Sequence, residues 1–424
     1  MPQFLPFRGL RYRPLEEPGG ARRGAVDPGV PVDLSRVAAP PYDVIDDELR
    51  SILEATDPHN SVQLILPRDT DGRDRYQAAA DRLAAWRSGG VLALDDTASF
   101  YGYRMTFRSE SGTTRATTGV LGALTLPPPG ADPADAGILP HERTLPKARS
   151  DRLALLRATR ANLDPIWGLS LAPGLTALLP LAARPDSVAT DADGVVHELW
   201  RLTDGDVLDA VAAAVGSAPV VLADGHHRFE TASNYRAEQP ATDSGAAAIM
   251  ALVVELTADQ LTVAAIHRLV HGAPADLRER LAGTFEVRDT GPNAPDGVAA
   301  LEARMHTEGS LGLVDGRGTA LLTPRPDLLA GLSGLPAPLS GVDASRFDAG
   351  VRPALDGAEL SYRNDAATCA ALVEKGAADA AVLLRPVTVE QIGTAAFGHV
   401  RMPEKTTFFE PKPRTGMVFR SLDD

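Results

Sequence analysis

At 424 residues the chain exceeds what one hydrophobic core ordinarily organises, so two or three domains are expected. Hydrophobic residues at 44% and charged residues at 23% are those of a folded globular protein, and aromatics at only 5% leave cores to be built from Leu, Val and Ala. A formal charge of −14 disfavours a protein that coats nucleic acid, and the single cysteine, Cys369, excludes an intrachain disulfide and fits a reducing cytoplasm. The opening Met1-Pro2-Gln3-Phe4 lacks the basic region and apolar run of a signal peptide. The longest apolar run, 246–256, contains Glu255 and is too short to cross a bilayer, so no membrane association is expected.

In chain order, a Pro/Gly-rich leader runs to about Val37 and meets Ala39-Pro40-Pro41-Tyr42-Asp43, where two prolines impose extended backbone. Asp46 can cap a helix over 47–56, and 61–66 reads as a strand. A second helix carries Tyr76, Ala79, Ala80, Leu83 and Trp86 on one face and stops at Gly89-Gly90. Residues 99–108 and 113–126 read as a hairpin. A Pro/Ala/Gly loop over 127–140 delivers His141-Glu142-Arg143, and an arginine-dense helix follows over 147–162. Buried strands are expected at 166–171 and 219–223, with a hairpin near 191–194 and a helix over 207–215 between them. Beyond a helix ending near Arg236, strands are expected at 249–256 and 261–269. A more independent region follows at 274–324, and then alternating helix and strand. The pattern predicts an α/β chain (α+β, with mixed sheets) divided into 1–270, a smaller subdomain over 271–330, and a C-terminal segment over 331–424 that can pack back on the core.

The strongest candidate site is Ala223-Asp224-Gly225-His226-His227-Arg228, a buried strand that turns into a helix. Gly225 permits a tight turn, and the free N–H groups of the new helix suit an anion such as phosphate. His226, His227 and Arg228 add directed donors, with Arg228 able to grip phosphate oxygens in bidentate fashion from a solvent-facing position. Asp224 in such company would hold Mg²⁺, orient a histidine or accept a proton. The bland alternative makes Asp224 a helix cap and pairs Arg228 with a nearby acid. The motifs GxxxxGK[ST], GxGxxG and HExxH are absent. His141-Glu142 follows a long loop where catalytic groups often sit, Asp43 competes with a capping role, and the basic tail from Lys405 to Arg414 can close over a ligand or simply pack a terminus.

Five blocks together resemble a widespread bacterial family, catalogued as domain of unknown function 1015 and sometimes labelled SpoOJ/ParA/ParB/RepB-like. They are Pro40-Pro41-Tyr42-Asp43-Val44-Ile45, His141-Glu142, Arg152 through Asn162-Leu163-Asp164-Pro165-Ile166, Ala223 through Arg228, and Met402-Pro403-Glu404-Lys405 through Lys412. Within it, Asp224-Gly225-His226-His227-Arg228 resembles the phosphate-binding turn of the ParB/sulfiredoxin superfamily, which includes free-serine kinases. That resemblance implies a ParB/sulfiredoxin-like core and a phosphotransferase. Its substrate would be a small hydroxylated amino acid such as L-serine, its donor a nucleotide or pyrophosphate, and its ion Mg²⁺. It also implies that a carboxylate, Glu142 or Asp43, is the general base, and makes His141, Arg152, Asn162 and Lys405 second-tier site residues. A phosphatase using the same pocket, a ParB-like nucleotide-binding partition module, and a scaffolding protein are the competing expectations.

Overall fold

The computed structural model describes residues 1–14, 30–69, 72, 74–109, 112–140, 149–240 and 242–424. The chain forms two compact units: Met1–Pro140, Thr144–Leu261 and Pro411–Asp424 make the first, and Thr262–Glu410 belongs to the second. The boundary expected near 270 therefore falls at 261, and 411–424 returns to the first unit. Nor does 271–330 stand apart, because its strands complete a sheet with residues on both sides of it in sequence.

The first unit is built on a ten-stranded mixed sheet. Its strands are β1 (Phe4–Leu5), β2 (Val32–Asp33), β3 (Phe100–Arg108), β4 (Thr114–Thr125), β5 (Ile138–Pro140), β6 (Ile166–Ser170), β7 (Ser187–Thr190), β8 (Val196–Leu202), β9 (Val220–Asp224) and β10 (Ala248–Glu255). The spatial order is β2-β7-β8-β3-β4-β10-β6-β9-β5, with β1 also on β4. Both expected hairpins are present, as β3–β4 and β7–β8. Every residue of β10 is buried, which is why its sequence is one apolar run rather than an alternation. The exception, Glu255, is buried because its two carboxylate oxygens accept the amides of Gly174 (2.7 Å) and Thr176 (3.0 Å).

Strand β9 runs antiparallel to β6, so its C-terminal end lies beside the start of β6 and the Asp164-Pro165 approach to it. A register shift between Leu222 and Asp224 marks a bulge where β9 hands over to helix. The helices of this unit are α1 (Asp47–Thr56), α2 (Val62–Ile65), α3 (Arg75–Ser88), α4 (Arg149–Thr159), α5 (Gly205–Gly216) and α6 (His226–Glu238). Asp46 caps α1 by accepting the Leu49 amide at 2.8 Å, and α3 buries Ala79, Leu83 and Trp86 as its pattern predicts. The strand expected at 61–66 is instead the single turn α2. The Asn60 side chain accepts the Val62 amide at 3.0 Å and starts a turn, and a short apolar run does not by itself distinguish strand from buried helix.

The tail over 411–424 crosses this unit as a strap. Thr415 and Ala39 exchange backbone hydrogen bonds of 2.9 and 3.0 Å, and Phe419–Ser421 forms a strand between Gly9–Tyr12 and Ala161–Asn162. Arg414 is held in a closed ring of hydrogen bonds. Its amide donates to the Tyr103 hydroxyl (3.0 Å), which lies 2.8 Å from His197 Nδ1. Having accepted once, the phenol donates to Nδ1, which assigns the imidazole proton to Nε2, 3.3 Å from Asp191 Oδ2. The Arg414 guanidinium closes the ring on that same oxygen at 2.9 Å. Burial pushes His197 below the ordinary histidine value. Burial would raise Asp191, but His197, Arg414 and the Val195 amide outweigh it and hold the carboxyl at about 2.

The second unit carries a six-stranded antiparallel sheet of β11 (His267–His271), β12 (Phe285–Gly291), β13 (Leu311–Asp315), β14 (Gly318–Pro324), β15 (Glu359–Arg363) and β16 (Ala380–Leu383), in the order β12-β14-β13-β16-β11-β15. Helices Pro295–Glu308 and Ala366–Glu374 cover it, and Cys369 lies fully buried in that core, where burial lifts its thiol to about 12. The run expected at 261–269 is split between Thr262–Ala264, which pairs with Phe408–Glu410, and β11. Among the described residues, no helix is long and apolar enough to cross a membrane.

A Cβ added at Gly245 would fall 1.8 Å from the backbone oxygen of Leu422, so the strap closes only over a residue without a side chain. Gly245→Ala is expected to lower the unfolding free energy by about 3 kcal/mol, the upper end for overpacking. Limited proteolysis should then cut the variant within 415–424. Unchanged denaturant midpoints and an intact C-terminus would refute the closure.

Candidate anion site at the start of helix α6

Asp224 ends β9, Gly225 adopts φ +86°, and α6 begins at His226. The expected strand-turn-helix is therefore present. Gly225 is required twice over: its φ lies in the left-handed region, and a Cβ there would sit 3.0 Å from Ile166 and 3.1 Å from Arg228 Nε. No side chain caps the helix, whose first internal bond runs from the Phe229 amide to the Gly225 carbonyl at 2.9 Å. This end consequently presents its partial positive charge beside half-buried His226, His227 and Arg228.

Asp224 organises the charges around it. Its Oδ2 accepts from Arg228 Nη2 at 2.8 Å and its Oδ1 from Lys412 Nζ at 2.6 Å. Arg228 Nη1 donates to the carbonyl of Pro165, at the approach to β6. Burial alone would raise the Asp224 carboxyl, but Lys412 and Arg228, with a smaller contribution from His226, hold it at about 2. Two sequence expectations change here. The Arg228 side chain is 13% exposed rather than solvent-facing, with Nη1 on the Pro165 carbonyl and Nη2 on Asp224. Asp224 does not suit Mg²⁺, because a guanidinium and an ammonium occupy its two oxygens. Among the described residues, no cluster of three or more His, Cys, Asp or Glu could hold a metal ion.

Three further groups share this field. Asp164 precedes β6 and its Oδ1 accepts from the Thr415 hydroxyl. Burial pushes its carboxyl above the usual range, against the pull of Arg228, Thr415 and Arg152. Asp43, on an exposed turn (Tyr42–Val44), is near enough to raise Asp164, Arg228 and Tyr42. The Arg152 guanidinium lies 4.4 Å from the centroid of the Tyr42 ring and donates to the Ile65 carbonyl at 2.6 Å. The structure thus brings Asp43, Arg152 and the Asp224–Arg228 turn together.

The remaining candidates fare differently. Asn162 is committed to the fold: its Oδ1 accepts from the Met250 amide and from Arg420 Nη1, both at 3.0 Å. Lys405 belongs to the second unit, where its ammonium lies 5.8 Å from the Tyr362 ring. His141 and Glu142 lie outside the described residues. Sequence reasoning quoted Asp164 and Tyr42 only inside the family blocks, without a role, and reached Lys412 only as part of a basic tail. A second signal for Asp164 is a carboxylate set directly before a proline and a buried strand.

The two aspartates are expected to answer mutation in opposite ways. Asp224 has a depressed value, so its contribution is full above the unfolded value near 4 and is lost as pH falls toward about 2. Asp224→Asn should cost about 2–3 kcal/mol at pH 7, by removing the negative charge between two largely buried cations. Asp164 has a raised value. Its ionised form is the disfavoured one, so its contribution improves as pH falls through its folded value toward the unfolded one and is least favourable at neutral pH. Asp164→Asn should therefore melt no lower than wild type at pH 7. Melts from pH 3 to 8 decide the matter, and equal losses for both variants would refute this assignment.

Comparison with known proteins places the sequence. No curated protein matches it. Among solved structures, a free serine kinase mutant in complex with AMP is 15% identical, covering 64% of this chain and 84% of that one with a TM-score of 0.37. A conserved hypothetical protein from Pyrococcus furiosus is also 15% identical, covering 68% and 93% with a TM-score of 0.38. SbnI with a C-terminal truncation, from Staphylococcus aureus, is 12% identical, covering 70% and 85% with a TM-score of 0.35. Scores this low carry no function across. The family model described as protein of unknown function (DUF1015) matches residues 4–349, and the chain belongs to that family.

Proposed function

We propose that this protein is a cytoplasmic small-molecule phosphotransferase whose phosphoryl group is received at the start of α6. The observation that carries the reading is the uncapped helix end behind a left-handed glycine, with Arg228 and Lys412 converging on it through Asp224. Such a helix end stabilises phosphate oxygens without help from a nucleotide-loop motif. The acceptor class, a small hydroxylated amino acid such as L-serine, and the donor, a nucleotide or pyrophosphate, follow from the resemblance of Asp224-Gly225-His226-His227-Arg228 to the superfamily turn.

In the transfer, the acceptor hydroxyl oxygen attacks phosphorus, the bond from phosphorus to the leaving phosphate oxygen breaks, and the hydroxyl proton passes to a carboxylate. Asp43, exposed and within the field of Arg228, is one candidate for that carboxylate, with Glu142 the other. His226 and His227 would donate to the equatorial oxygens, and Lys412 would neutralise developing charge. Positioning and charge neutralisation dominate such reactions. The partition-module reading draws no support from a formal charge of −14.

³¹P NMR of the protein with L-serine and, separately, ATP, ADP or pyrophosphate tests the reading. O-phosphoserine formation is expected. Inorganic phosphate released without a phosphorylated acceptor would favour a hydrolase, and no donor consumption would overturn phosphoryl transfer. His226→Ala should reduce turnover on the order of 10²-fold or more if that imidazole meets the phosphoryl group in the transition state.

A further inference from the structure

Between α4, the 161–164 segment and α6 lies a cavity of about 60 Å³ within the first unit. One water needs roughly 10–15 Å³ by this measure, so the space admits about four to six non-hydrogen atoms. That is too small for a nucleoside and matches a short organic acid.

The lining is of two kinds. Arg152, Asn162, Asp164, Arg228 and Thr231 are its polar members, and Leu155, Leu156, Leu163, Ala232 and Ile249 supply an apolar wall. Two polar atoms of Arg228 and Thr231 are unspent. Thr231 is 3% exposed, yet its hydroxyl has no hydrogen-bond partner among the described residues, and the same holds for Arg228 Nε. Leaving a buried hydroxyl without a partner is unfavourable, which makes a missing ligand a better account than packing alone. The second helical turn could carry Val or Ala at 231 without that cost.

We propose that this cavity binds a carboxylate of two to four carbons, its oxygens received by Arg228 Nε–H and the Thr231 hydroxyl and its short chain lying on the Leu155, Leu163 and Ile249 wall. The apolar wall selects against bare phosphate or sulfate, which have no group to place there. Charge agrees: the guanidinium of Arg228 lies in the lining beside Arg152, and burial favours the neutral form of the Asp164 carboxyl there. This binding is a property of the cavity and holds whether or not the protein transfers phosphate.

The test is calorimetric titration and ¹³C NMR of the full chain with acetate, propionate and L-lactate, and with inorganic phosphate for comparison. Saturable binding of a carboxylate is expected, with Thr231→Val weakening it at least tenfold while melting no lower than wild type. Ala232→Leu, which fills the space, should abolish it. Pyrophosphate-induced shifts in melting temperature should persist in both variants, so failure here is separable from failure of the phosphotransferase reading. No carboxylate binding at tens of millimolar, or affinity unchanged in Thr231→Val, would overturn the proposal, as would a cavity that prefers phosphate.

Discussion

Most of the first unit's local order near the site hangs on one carboxylate. Asp224 accepts from Arg228, four residues on, and from Lys412, 188 residues on. Arg228 in turn reaches the carbonyl of Pro165. One anion thereby joins the end of β9, the start of α6, the approach to β6 and the tail. Taking three charges from water is costly, and the mutual attraction roughly offsets that cost, so the triad adds less to net stability than to uniqueness. Any slip of α6 by a residue would carry the Arg228 guanidinium away from its carboxylate. The low value of Asp224 reflects the same balance, because the carboxylate is worth more ionised among those cations than protonated.

Such a triad works only if Lys412 arrives at a fixed place, and a tail would not ordinarily ensure that. The ring through Tyr103, His197, Asp191 and Arg414 supplies the constraint two residues away. It holds Arg414 by backbone and side chain at once, and it lies on β3, β8 and the β7–β8 turn, which are rigid sheet elements. One residue further, Thr415 binds Ala39 and Asp164 together. Ala39 directly precedes the Pro40-Pro41-Tyr42-Asp43 turn, so the strap sets both Lys412 and the turn bearing Asp43. Arg420 anchors its far end on Asn162, Ala248 and Gly245.

Much of this was legible in the sequence where the signal was local. The cap at Asp46, the stripe of Ala79, Leu83 and Trp86, the two hairpins, and the strand-turn-helix at Asp224 to Arg228 all follow from neighbours a few residues apart. What stayed hidden depends on contacts across the chain. The α2 run was apolar and short, so only the Asn60 side chain decided its form. Arg228 read as solvent-facing because nothing local shows that Pro165 meets it, although pairing with a nearby acid was the stated alternative. Asn162 drew attention as a site residue, although its oxygen is spent on Met250 and Arg420. The domain division failed for a similar reason: sheet partners of 285–324 lie on either side of it in sequence, and pairing of that kind leaves no mark on composition.

The geometry also constrains how a phosphoryl group could be received. Arg228 is held as a strut, with Nη1 on the Pro165 carbonyl and Nη2 on Asp224. In the proposed transfer the helix amides, His226 and Lys412 would meet the oxygens beside it. Lys412 differs from Arg228 in having a flexible stem and a compact ammonium, which binds Asp224 at 2.6 Å. Asp164 then becomes the element that balances charge. Its burial favours the neutral form, and an anion near Arg228 would favour it further by occupying the positive field that opposes burial. Were an anion bound at this end of the sheet, it would favour proton uptake by Asp164, the carboxylate that lies directly before a proline and a buried strand.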